Sequence, residues 1–121
     1  MGVYLENCSK LGSCAAETAN VHTPGTNTNA VVTYSAVSSQ SHCISGIAFS
    51  YSGGTPTNAN LKIEDGSGNT VFSVDVTASG VGFIPFLPPL RGSVNTALII
   101  TLSAGGAGIS GKLSVLNHWR E

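Results

Sequence analysis

Leu61-Lys62-Ile63-Glu64-Asp65-Gly66-Ser67-Gly68-Asn69-Thr70-Val71-Phe72-Ser73-Val74-Asp75-Val76 is the stretch that decides the fold. Leu61 and Ile63 alternate with Lys62 and Glu64, and Thr70, Phe72, Val74 and Val76 alternate with Val71, Ser73 and Asp75. Such alternation puts one row of side chains in a core and the other in water, which is a half-buried strand. Between the arms, Asp65 to Asn69 supplies glycines that accept positive φ and Asp/Asn side chains that bond their own backbone. The whole reads as a β-hairpin.

Working outward, the same grammar repeats. Asn29 to Ala36 alternates, with Ala30, Val32 and Tyr34 on one face. His42 to Tyr51 is apolar on both faces and reads as a central strand, with Gly46 marking a bulge or a close approach. Val81 to Leu90 is apolar but contains Pro85, which removes a ladder donor, so it reads as an edge strand or an extended crossing. Thr96 to Leu102 is the run richest in β-formers, Gly105 to Gly108 reads as a hairpin turn, and Gly111 to His118 returns as the last strand.

About seven strands at these spacings, with no amphipathic helix of three turns, predict an all-β fold. The expected form is an antiparallel β-sandwich of jelly-roll or related Greek-key order. Residues 1–28 show no sustained period and are expected to be an N-terminal arm, leaving 29–121 as the sandwich domain. Such an arm is expected to be ordered by a neighbouring subunit.

Composition narrows the function classes. Only 9% of the 121 residues are charged, against about 25% in ordinary proteins. Hydrophobic residues make up 41%, so the chain can fill one core, and its surface must rely on Ser, Thr, Asn and Gly. A surface of that kind suits a protein that packs against other proteins or works outside the cell, and suits a cytosolic enzyme less well. Lys10, Lys62, Arg91, Lys112 and Arg120 are scattered and the net charge is −1, so nucleic-acid binding lacks an electrostatic footprint. No apolar run approaches the eighteen or so residues of a membrane-spanning helix. The N-terminus reads neither as a signal peptide nor, with Glu6 where Ser or Thr is needed, as a myristoylation site. Three cysteines argue against a complete disulfide framework. Cys8 and Cys14 either pair or stay free, and Cys43 reads as a small buried hydrophobe.

No catalytic or cofactor constellation survives scrutiny, so the expectation is a non-enzymatic protein without a cofactor. Gly106-Ala107-Gly108-Ile109-Ser110-Gly111 matches the spacing of a dinucleotide loop, but a strand rather than a helix follows it. Asp65 to Asn69 opens like a calcium loop, yet Thr70 and Val76 stand where its Gly and bidentate Glu belong. A turn held by the Asp65 and Asn69 side chains is the simpler reading. His22, His42 and His118 lack zinc-ligand spacing with the cysteines, and the adjacent His42 and Cys43 point to opposite faces of a strand. There is no Gly-x-Ser-x-Gly elbow, and Asp75 between two valines is expected in solvent. Trp119 and Tyr51 are weighed as sugar-stacking aromatics, against Trp119 covering the sandwich end or a subunit contact. The stretch Phe83-Ile84-Pro85-Phe86-Leu87-Pro88-Pro89-Leu90 is too apolar for a free loop and either crosses the open end of the sandwich as core or is a subunit interface.

Several stretches together resemble the small virion structural proteins of tailed bacteriophages. These are Val21 to Pro24 with Ala30 to Tyr34, Ile44 to Gly54, Leu61 to Gly66, Gly82 to Phe86 and Asn95 to Gly106. What the resemblance implies is a jelly-roll cement or decoration protein, often a homotrimer. Such a protein is made in the host cytoplasm and sits on the capsid surface, clamping the major capsid protein. The candidate interface is Tyr4 and Leu5 in the arm, then Phe83, Ile84, Pro85, Phe86 and Leu87, and finally Trp119. The alternative is a tail-associated or carbohydrate-binding β-sandwich.

Overall fold

The computed structural model describes residues 25–121. Eight strands follow one another: β1 Gly25–Thr26, β2 Ala30–Tyr34, β3 His42–Ser52, β4 Ala59–Asp65, β5 Thr70–Val76, β6 Gly80–Arg91, β7 Leu98–Leu102 and β8 Ser110–Arg120. They form two four-stranded sheets, β1-β8-β3-β6 and β2-β7-β4-β5. Within them β1 pairs with β8, β2 with β7, β3 with β6 and β4 with β5, all antiparallel. The described residues thus form one long hairpin folded over on itself, the connectivity of an eight-stranded jelly roll. The tip of that hairpin is β4–β5, the stretch quoted first.

Alternation explains the core. In β2, Ala30, Val32 and Tyr34 are buried while Val31 and Thr33 are exposed. Ile44, Ile47, Leu61, Ile63, Leu98, Ile100, Leu102 and Leu113 are fully enclosed between the sheets. Each such side chain removed from water contributes about 1.5–3 kcal/mol. The central strand β3 lies between β8 and β6, and its register with β6 breaks between Ile44 and Gly46, at the glycine singled out from sequence. There Gly46 lies beneath the Phe83 ring on the outer face, 3.2 Å separating a notional Cβ from Cε1. Asp75 is exposed, as expected.

Three details differ from the sequence reading. Gly25 and Thr26, counted with the arm, already pair with Gly111 and Ser110 and add an eighth strand. The glycines before β8 do not close a hairpin: β7 and β8 lie in different sheets, so residues 103–109 arch across the sandwich. The tip of the β4–β5 hairpin is closed differently as well. Asn69 binds the Asp65 carbonyl, but the Asp65 carboxylate leaves the turn for Ser93, accepting from its N–H at 2.9 Å and its hydroxyl at 2.6 Å. Glu64 takes the local role, accepting from the Gly68 N–H at 3.0 Å.

Candidate functional site

The edge of the first sheet carries the apolar stretch. In β6, Ile84, Phe86 and Leu90 turn inward onto the core. Phe86 meets Phe72 of β5 edge to face, with ring centroids 5.3 Å apart, and so closes the flank of the sandwich. The alternate residues point to solvent: Val81 is 85% exposed, Phe83 58% and Leu87 87%. Proline is tolerated here because an edge strand has one unpaired side. Ile44 pairs with Leu90 and Gly46 with Pro85, so Ser45 alone stands opposite Phe86, Leu87, Pro88 and Pro89. The extra residues bulge outward and carry Leu87, which precedes a cis peptide bond to Pro88. From Gly80 to Leu90 no side chain bears a charge or a hydrogen-bonding group.

Of the residues named from sequence, Phe83, Pro85 and Leu87 therefore form an exposed ridge, and Ile84 and Phe86 anchor it. Trp119 lies elsewhere. It pairs across the ladder with Cys43, is only 8% exposed, and donates its indole N–H to Glu121 at 3.0 Å. Glu121 also meets Arg91 at 3.6 Å. Tyr51 is buried too, its hydroxyl donating to the Ser103 carbonyl. Neither aromatic offers an open face to a sugar. Tyr4, Leu5, Cys8, Cys14 and His22 fall outside the described residues.

A second cluster was missed from sequence. His42 of β3 and His118 of β8 are buried inside one end of the sandwich, 76 residues apart in the chain. His42 Nδ1 lies 2.9 Å from His118 Nε2, and His42 Nε2 lies 2.7 Å from the Ser35 carbonyl. A carbonyl only accepts, so Nε2 of His42 carries hydrogen. Tyr34 stacks on His118, and Thr33, Val37 and Arg120 complete the opening above the pair. The only signal available was that each histidine sits at the terminus of a strand. Their meeting required knowing that β3 and β8 are neighbours.

Among the described residues the single cysteine is muted. Burial pushes the Cys43 thiol up from its ordinary range, Glu121 adds to the rise and Arg91 opposes it. A thiol held protonated is a poor nucleophile. Among the described residues no three His, Cys, Asp or Glu side chains gather to hold a metal ion.

Fold and surface together define an all-β jelly-roll protein whose β6 edge is apolar from Gly80 to Leu90. No family model matches the chain, and no curated protein matches it.

Proposed function

We propose that this chain is a non-enzymatic virion structural protein that binds and stabilises an assembled phage capsid, as cement or decoration proteins do. The observation that carries the reading is the β6 ridge, where Val81, Phe83 and Leu87 stand in solvent on a strand that bears no charge before its last residue, Arg91. Contiguous exposed apolar surface marks an interaction site in a soluble protein. The jelly-roll order and the low overall charge support the same reading. The mechanism is linkage. A protein that binds only the assembled shell adds its binding free energy to the stability of that shell. The ridge and the N-terminal arm are the contact surfaces, and the partner is the major capsid protein.

The test is co-sedimentation of purified chain with capsids that lack it. Wild-type protein pellets with the shells, and a Val81→Ser, Phe83→Ser, Leu87→Ser variant loses tenfold or more in affinity, since central aromatic and aliphatic anchors dominate such interfaces. A wild-type chain that stays in the supernatant refutes the function. A variant that binds like wild type moves the contact away from β6.

A further inference from the structure

We infer that the outer edge of β6 pairs antiparallel with β6 of a second copy of this chain, about a two-fold axis at Gly82. β6 is an outermost strand, and among the described residues no strand lies on its far side. Pro85 fixes which main-chain groups face that side. It has no N–H, so its pair with Gly46 is of the non-hydrogen-bonded kind. Such pairs alternate along a ladder, so Phe83 opposite Ala48 and Val81 opposite Ser50 are of that kind too. Val81 and Phe83 therefore aim N–H and carbonyl away from β3, whereas Gly82 and Ile84 bond to it.

A second copy is the occupant these groups select. With Gly82 on the axis, Val81 of each copy stands opposite Phe83 of the other, and each such pair exchanges both of its N–H···O bonds. Neither edge-facing donor is left over, and Pro85, which has none to give, falls outside these pairs. From Gly80 to Leu90 no side chain is charged, so identical strands meet without the repulsion that blunts most edges. The side chains agree with the register. On the outer face Val81 lies beside Phe83, an aromatic against a β-branched residue, which stabilises a ladder. On the inner face Gly82 has no side chain and the Phe49 ring stands in its place, so the two Phe49 rings meet across the axis.

The other edges suit a copy less well. β1 has two residues and β2 five, against twelve in β6, and β5 brings Asp75 to any pairing. Pairing about a two-fold axis closes on itself, so association stops at a dimer. Side chains stay perpendicular to the sheet when strands pair edge to edge. The ridge of each copy therefore still faces outward, and the two ridges lie side by side. This dimer stands whether or not the chain proves to bind a capsid.

Sedimentation equilibrium of the full chain tests the pairing. At submillimolar concentration it should return twice the 12.3 kDa of one chain. A monomer throughout, or a trimer, overturns the proposal. Phe83→Ser loses the ring and keeps the edge N–H, whereas Phe83→Pro loses both and spares the bonds of β6 to β3. The Phe83→Pro dimer should be about tenfold weaker than the Phe83→Ser dimer, since one main-chain bond is lost per copy. Equal affinities overturn the edge pairing. A second measurement needs no variant: amide hydrogen exchange of the wild type at micromolar and submillimolar concentration. Val81 and Phe83 should exchange fast in the monomer and slowly in the dimer, while Gly82 and Ile84 stay slow in both. Exchange at Val81 and Phe83 that is independent of concentration overturns it.

Discussion

Tyr34 and His118 stack face to face, their ring centroids 3.7 Å apart and their planes within 1°, and the pair spans the gap between the two sheets. Tyr34 ends β2 in one sheet and His118 lies near the end of β8 in the other. The stack therefore ties the layers together where β2 and β8, which share no ladder, approach each other. Replacing His118 by Ala removes the stack and leaves Nδ1 of His42 without that partner. The expected loss is about 3 kcal/mol at neutral pH. His118→Phe keeps an aromatic ring against Tyr34 and should cost about half as much. Equilibrium urea unfolding of the two variants checks the order, and equal losses would mean that the stack contributes nothing.

Gly82 and Phe49 face each other across the β3–β6 ladder, and the phenyl ring fills the place where a side chain at 82 would begin. A Cβ built on Gly82 lies 2.7 Å from Cε2 and 2.8 Å from Cε1 of that ring. Gly82→Val should therefore destabilise by about 1–3 kcal/mol through displacement of Phe49. Val81→Thr next door, pointing to solvent, should stay within ~0.5 kcal/mol of wild type. Thermal melts of the two variants separate overpacking from a general intolerance of β6 to change.

Asp65 ties the tip of the β4–β5 hairpin to the loop before β7 through two hydrogen bonds to Ser93. Ser93→Ala removes the hydroxyl donor and keeps the backbone one, so about 1 kcal/mol should be lost. Asp65→Ala removes both and should lose more. A double-mutant cycle should return a coupling of at least ~0.5 kcal/mol between the two positions. Strict additivity would show that the contact is incidental.

At alkaline pH two buried acids act in the same direction. Burial raises Cys43, and burial raises Tyr51 against the lowering effect of its bond to Ser103. Their neutral forms are favoured in the folded chain. The stability they contribute is complete below their ordinary values, 9.0 for the thiol and 10.0 for the phenol, and fades as pH rises through the higher folded values. Stability should decline from about pH 9 upward, and Cys43→Ala should remove the earlier part of that decline. An unchanged pH profile in Cys43→Ala would leave the thiol without a role in it.

Local order was legible in the sequence because it is written in local alternation. Ala30, Val32 and Tyr34 share a face in the chain and in the core, and the Pro85 stretch, read as an edge strand or a crossing, is the edge strand β6. The hairpin at Asp65 to Asn69 forms where its glycines place it. What escaped was non-local. Whether the glycines after β7 turn back within a sheet or arch to the other depends on which strand β8 finds. It finds β3, 10 of whose residues from His42 to Ser52 have a partner in it. The same pairing brings His42 to His118. The division of the Phe83 stretch into anchor and ridge was open in sequence, because an apolar edge strand and an apolar crossing share one composition; Phe72 on β5 draws Phe86 inward and leaves Phe83 out.

The central claim is that this chain stabilises a capsid from its surface. Counting its copies in purified virus particles by quantitative mass spectrometry, against the major capsid protein, tests that claim most directly. The account predicts hundreds of copies per particle, in fixed proportion to the coat subunits and retained on tailless shells. A count of a few to a few tens that disappears when tails are removed, or no copies at all, would contradict it.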